Sequence, residues 1–136
     1  MGFSGRCLCG AVSYQSAADP VMSGHCHCED CRRSSGTGHC SHLGLPEEGV
    51  SISGVTMRYD KAADSGNIVS RHFCPTCGSP MFSRNSGMPG FVFLRASSLD
   101  QLDVFKPQMH VYCSRAAKWD RPSEGLPAFE TMPPGM

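Results

Sequence analysis

The chain has 136 residues, 40% of them hydrophobic and 18% charged, with 12 Lys and Arg balanced by 12 Asp and Glu. That length fits a modest core, the composition excludes a disordered chain, and the balanced charge supplies no basic face for nucleic acid. Nine cysteines are the unusual feature: they imply disulfides in a secreted chain, and ligands or nucleophiles in a reducing compartment. The start, Met1-Gly2-Phe3-Ser4-Gly5-Arg6, has no apolar leader, and Arg6 stands where a myristoylation motif wants Ser or Thr. No run is long enough to span a membrane. The expectation is one cytoplasmic domain over 1–136, with reduced thiols, no membrane contact and a loose tail from about residue 130.

Cys7-Leu8-Cys9-Gly10 comes first in the chain. Read as an extended strand, it points both sulfurs to one face, where they can share an ion; two ordinary buried cysteines are the plainer alternative. A short strand is expected at 11–14. Next is Cys26-His27-Cys28-Glu29-Asp30-Cys31, three thiols in six residues, running into a short helix at 29–34. Arg32 and Arg33 follow it, placed either to offset thiolate charge or to bind an anionic substrate, or simply solvated at a helix end. Strands are expected at 50–53 and 68–69, bounded by Gly, Ser and Asn.

Cys74-Pro75-Thr76-Cys77-Gly78 is the strongest local metal signal. Two intervening residues let both thiolates reach one ion, and the glycine permits the positive φ that such a turn needs. A redox dithiol of the thioredoxin kind would want a βαβ context, and Gly78-Ser79-Pro80 follows instead. Further strands are expected at 81–82, 90–94 and 110–112, and short helices at 97–102 and 116–119. Trp119 and Phe129 read by default as core residues. The fold class expected is mainly β: short antiparallel strands with a few short helices, pinned by metal.

The cysteines divide into one closed set and one open set. Cys7, Cys9, Cys74 and Cys77 complete a tetrahedral structural zinc, whereas Cys26, Cys28 and Cys31 leave a coordination position free. A fourth ligand for the second set is sought among His25, His27, His39, His42, Cys40 and Cys113. Strand alternation puts His25 and His27 on the face opposite Cys26, which argues against those two. Cys40 and Cys113 are spare, and Cys40 reads as a small buried hydrophobe. Two zinc ions per chain are expected, the open one carrying the chemistry through Cys26, Cys28 and Cys31.

The run Gly5-Arg6-Cys7-Leu8-Cys9-Gly10-Ala11-Val12-Ser13-Tyr14 resembles the opening of the glutathione-dependent formaldehyde-activating enzyme family, also called the centromere protein V type domain. The resemblance continues through 26–36, 65–66 and 71–82, and through His110-Val111-Tyr112, Trp119 and Leu126-Pro127-Ala128-Phe129. It implies a zinc-pinned β-tent fold like that of methionine sulfoxide reductase B and the zinc-binding nucleotide-exchange chaperone. It also implies a carbon–sulfur lyase that joins glutathione and formaldehyde into S-hydroxymethylglutathione, with the two zinc sets just named. The partner is then a small-molecule thiol, glutathione, with Arg32, Arg33, Arg71 and Arg95 as candidates for its carboxylates. The chain departs from the family pattern at His39-Cys40, at 94–100 and at Cys113, positions expected to shape the pocket. The competing class is a non-catalytic zinc, thiol or protein-binding module on the same fold. Methionine sulfoxide reduction is a third reading and would need Cys40 or Cys113 as nucleophile. The sequence leaves the oligomeric state open.

Overall fold

Short runs of β-branched and aromatic residues broken by Gly, Pro and Asn cannot sustain helices, and the chain pairs them into two sheets. The computed structural model describes residues 2–134; the end of the expected tail, at 135–136, lies outside the described residues. Strands β1 (Phe3–Arg6), β2 (Ser13–Ser16) and β5 (Val50–Ser53) form an antiparallel sheet in the order β1-β2-β5. The larger sheet contains β3 (Met22–Cys26), β4 (Cys40–Pro46), β6 (Met57–Ala62), β7 (Ile68–Phe73), β8 (Pro80–Asn85), β9 (Phe91–Arg95) and β10 (Met109–Val111). Its order is β10-β3-β4-β9-β8-β7-β6. All its pairs are antiparallel except β10 with β3, which is parallel. Among the described residues no helix is long and apolar enough to cross a membrane.

The main core is built from strand alternation. On β4, Leu43 and Leu45 stand two apart and face Leu94 and Val92 of β9, and Phe82 of β8 faces Leu94 in turn. All five are at most 3% exposed, and Phe3, Val12 and Tyr14 close over them from the smaller sheet. Burying each such side chain stabilises the fold by about 1.5–3 kcal/mol. Gly5 of β1 sits where no side chain fits: an added Cβ would fall 2.2 Å from the Tyr14 ring and 2.6 Å from the Ser98 carbonyl. A second cluster joins Cys26, Cys31, Cys40 and Val111, with Met109, Tyr112 and Phe129 packed against it.

Each expected strand overlaps an observed one: 50–53 is β5, and 68–69 and 81–82 lie inside the longer β7 and β8. Those at 90–94 and 110–112 are offset by one residue from β9 and β10, and 11–14 is offset by two from β2. β1, β3, β4 and β6 carry no clear sequence signal. β3 and β4 are rich in Ser, Gly and His, yet pairing on both sides makes them central. β6 is exposed throughout and protects the sheet edge with Arg58, Asp60 and Lys61. The expected helix at 29–34 is α1 (Glu29–Ser35). That expected at 97–102 is instead two separate 3-10 turns, Ala96–Ser98 and Leu102–Val104. Residues 116–119 form no helix; a 3-10 turn precedes them at Cys113–Arg115. Segments this short cannot repay helix nucleation without tertiary support.

Candidate metal centres

The first set of cysteines sits on two facing turns. Cys7 and Cys9 lie just after β1 on a tight turn, Gly10 N–H donating to Cys7 O at 3.2 Å, which corrects the expectation of an extended strand. A turn brings both sulfurs to one point through backbone N–H groups, which alternation along a strand does not provide. Cys74 and Cys77 occupy the connection between β7 and β8, closed by Gly78 N–H to Cys74 O at 2.8 Å, with Gly78 at φ 78°. Val12 N–H donates to Cys7 Sγ at 3.3 Å and Cys77 N–H to Cys74 Sγ at 3.5 Å. The Ser79 hydroxyl, 3.1 Å from Cys77 Sγ, helps pull that thiol down to about 5.

The sulfur geometry fits an ion. Cys7 to Cys9 is 3.7 Å and Cys9 to Cys74 is 3.8 Å, with all four sulfurs within 4.8 Å of one another. Four sulfurs held at about 2.3 Å around a tetrahedral zinc stand roughly 3.8 Å apart.

The second set is assembled where β3 runs into α1. Cys26 ends β3, Cys28 is the N-cap of α1, accepting Cys31 N–H at 3.3 Å, and Cys31 lies in the first turn. Their sulfurs also lie within 4.8 Å of one another. Hydrogen bonds from Cys26 and Cys28 lower the Cys31 thiol to about 7, while the same contacts push Cys26 up. The opposite directions are those of closely coupled thiols, which titrate as a set and not one by one. Cys40 faces Cys26 across the β3–β4 ladder. It is lowered to about 7 by Cys31, then by the charges of Arg95 and Arg71. Cys113 is half-buried, and burial pushes its thiol up.

Strand register decides what surrounds this set. Cys26 pairs with Cys40, His42 with Arg95, Phe93 with Ser83, Ser83 with Arg71, and Arg71 with Tyr59. Directly opposed residues share a face, as do residues two apart, so Cys26, Cys40, His42, Arg95, Arg71 and Tyr59 lie on one side of the sheet. A cavity of about 230 Å³ opens there, lined by Ser34 of α1, Tyr59, Arg71, Phe82 and Arg95 among others. His42, 3.6 Å from Cys40 Sγ, is held neutral by burial and by Arg95, which lower it to about 4.

The four candidate arginines separate by environment. Arg95 is 7% exposed and donates to Phe93 O at 3.2 Å. Arg71 has its Nε buried with no hydrogen-bond partner among the described residues. Arg33 is exposed and pairs with Glu29 at 3.0 Å, and Arg32 is half-buried in the last turn of α1. Trp119 is 72% exposed, correcting the core reading, whereas Phe129 packs on the cysteine cluster. The Pro-rich segment around Trp119 runs over the surface, where it has no core to enter.

On the other face stand His25, His27, His39 and His110, in ring contact with one another. His25 Nδ1 meets Ser41 Oγ at 2.8 Å. Sequence reasoning missed Asp120 and His110 as members of this group. Nothing in their own neighbourhoods marks them, since long-range pairing alone brings them here.

The fold is mainly β, and its two cysteine sets could each hold a metal ion. Residues 2–115 match the family described as glutathione-dependent formaldehyde-activating enzyme, and the chain belongs to that family. A protein of Halomonas elongata, provisionally named a glutathione-dependent formaldehyde-activating enzyme, is 26% identical over 126 residues, covering 88% of this chain and 80% of its own. A Rhodobacter sphaeroides protein of known crystal structure has the same fold, with a TM-score of 0.59 at 19% identity, covering 76% of this chain and 96% of that one.

Proposed function

We propose that the protein is a zinc-dependent carbon–sulfur lyase that joins glutathione and formaldehyde into S-hydroxymethylglutathione. The observation that carries this reading is the buried, unpartnered Arg71 Nε in a cavity on the same sheet face as the three-cysteine set. A buried donor without an acceptor is costly, and a substrate carboxylate would satisfy it. Arg71 and Arg95 would hold one carboxylate-bearing end of the tripeptide, leaving its thiol to reach Cys26, Cys28 and Cys31. Cys7, Cys9, Cys74 and Cys77 would hold the structural zinc, whose tetrahedral spacing they match.

Bound by three thiolates, a second zinc would supply an open position that stabilises an incoming sulfur as thiolate. The sulfur attacks the formaldehyde carbon, one C–S bond forms, and the proton released from the thiol ends on the former carbonyl oxygen. The cavity has room for one end of the tripeptide rather than all of it.

The test is exchange NMR of glutathione and formaldehyde with the zinc-loaded protein, against buffer and against Cys28→Ser. Interconversion above the spontaneous background, lost in the variant, is expected. Equal rates with and without protein would overturn the lyase reading and leave a non-catalytic thiol-binding module.

A further inference from the structure

The geometry points to a third metal site, on the sheet face opposite the cysteines, where His27, His39 and Asp120 hold a divalent transition-metal ion. One ligand atom from each lies within 4.8 Å of the others. His27 Nδ1 is 3.8 Å from Asp120 Oδ2, and His39 Nδ1 is 2.5 Å from the same oxygen. These separations bracket the roughly 3.4 Å expected between nitrogen and oxygen ligands of a tetrahedral ion at about 2.1 Å. In the ion-free site His39 Nδ1 and the Asp120 carboxylate are close enough to hydrogen-bond, and an ion would have to part them slightly.

An independent observation points to a ligand. His27 is 0% exposed, and its Nδ1 is buried with no hydrogen-bond partner among the described residues. Its other nitrogen, Nε2, lies 2.9 Å from His110 Nδ1, and His110 Nε2 lies 2.9 Å from Ser123 Oγ. If His27 Nδ1 gives its lone pair to an ion, Nε2–H donates to His110, and His110 Nε2–H donates to Ser123. Both ring nitrogens of His27 then have a partner, the usual outer support of a metal-bound histidine, while the Ser123 N–H, 3.3 Å from His110 Nε2, gives up that nitrogen as its acceptor. Buried Gly38 makes the room: a Cβ there would fall 2.2 Å from Asp120 Oδ2. The side chains of His39 and Asp120 are 24% and 23% exposed, which leaves an entry from solvent.

Two imidazoles and a carboxylate favour zinc, nickel, cobalt or iron(II), and differ in kind from the thiolate sets. The ligands follow β3, precede β4 and lie in the C-terminal segment, and Asp120 falls beyond residue 115, where the family match ends. An ion here would tie that segment to the sheet, whether or not the lyase reading holds.

The probe is Co2+ added to protein whose cysteine sites are already filled with zinc, with uptake and absorbance recorded together. One further ion per chain is expected, with weak ligand-field bands and no intense sulfur-to-cobalt charge transfer. His39→Ala and Asp120→Asn should each lower its affinity at least about tenfold. No uptake by the zinc-filled protein would overturn the site. So would a sulfur charge-transfer band, which reports exchange into the cysteines, or uptake that both variants leave unchanged. Formaldehyde exchange enters none of these readouts.

Discussion

Arg71 and Arg33 are the same residue type with opposite surroundings, and the difference sets what their loss should do. Arg71 has a buried donor without a partner, whereas Arg33 is already paired with Glu29 at the surface. Hydrogen bonds to charged groups contribute about 1.5–3 kcal/mol, and about 1.4 kcal/mol is tenfold in affinity. Arg71→Ala should therefore raise KM for glutathione by roughly 10- to 100-fold with a smaller effect on kcat, and Arg33→Ala should change neither, as steady-state kinetics would show. Tyr14 gives a residue-scale test of stability. Its hydroxyl lies 2.7 Å from Ser98 Oγ, and burial raises it from 10.0 to about 12. A raised acid contributes stability that is full below the unfolded value near 10 and is lost as pH climbs toward 12. Tyr14→Phe should cost about 1 kcal/mol at pH 7, a gap that narrows above pH 10, as urea midpoints across that range would reveal.

At the scale of elements, α1 separates two roles of one side chain. Cys28 caps the helix through its sulfur, with Glu29 and Asp30 in the first turn and Arg32 and Arg33 in the last, all favourable to the helix dipole. Serine is itself a preferred N-cap. Cys28→Ser should keep the helix and its circular dichroism while lowering bound zinc by one per chain in elemental analysis. At the other end Gly36 closes α1 at φ 76°, so Gly36→Ala should destabilise by about 1 kcal/mol without touching the ligands, read from a denaturation midpoint. The helix was expected at 29–34, one residue short of its observed end at Ser35. The 3-10 turns were not, since nothing local distinguishes a Ser-rich turn from a first helical turn.

For the whole molecule the four-cysteine centre matters most. It joins the turn after β1 to the turn between β7 and β8, closing a long loop that packing alone holds weakly. A structural zinc contributes on the order of 10 kcal/mol, comparable to the whole stability of a small domain. Chelation, or Cys74→Ser, should therefore unfold the chain cooperatively in a thermal melt, whereas Cys28→Ser should not. The C-terminal segment adds a smaller contribution by pairing beside β10, with Phe129 N–H to His110 O and Cys113 N–H to Phe129 O, both at 2.9 Å. That pairing lays Phe129 on the cysteine cluster and leaves Trp119 in solvent.

The grouping of seven cysteines into a four and a three was readable in the sequence, because ligand spacing is local and soft thiolates have few other uses in such clusters. The mainly β class was readable as well, from short apolar runs between turn residues. Which arginines share a face with the open cysteines was settled only by register, since a slip of one residue in β7 or in β9 would turn Arg71 or Arg95 to the other face. β3 and β4, which carry the cysteines and histidines of that centre, had too little apolar alternation to declare themselves. Asp120 stands 81 positions from His39 in the chain, and only the tertiary fold brings their side chains into contact. Local chemistry was written in spacing, while the surroundings that direct it came from pairing between distant segments.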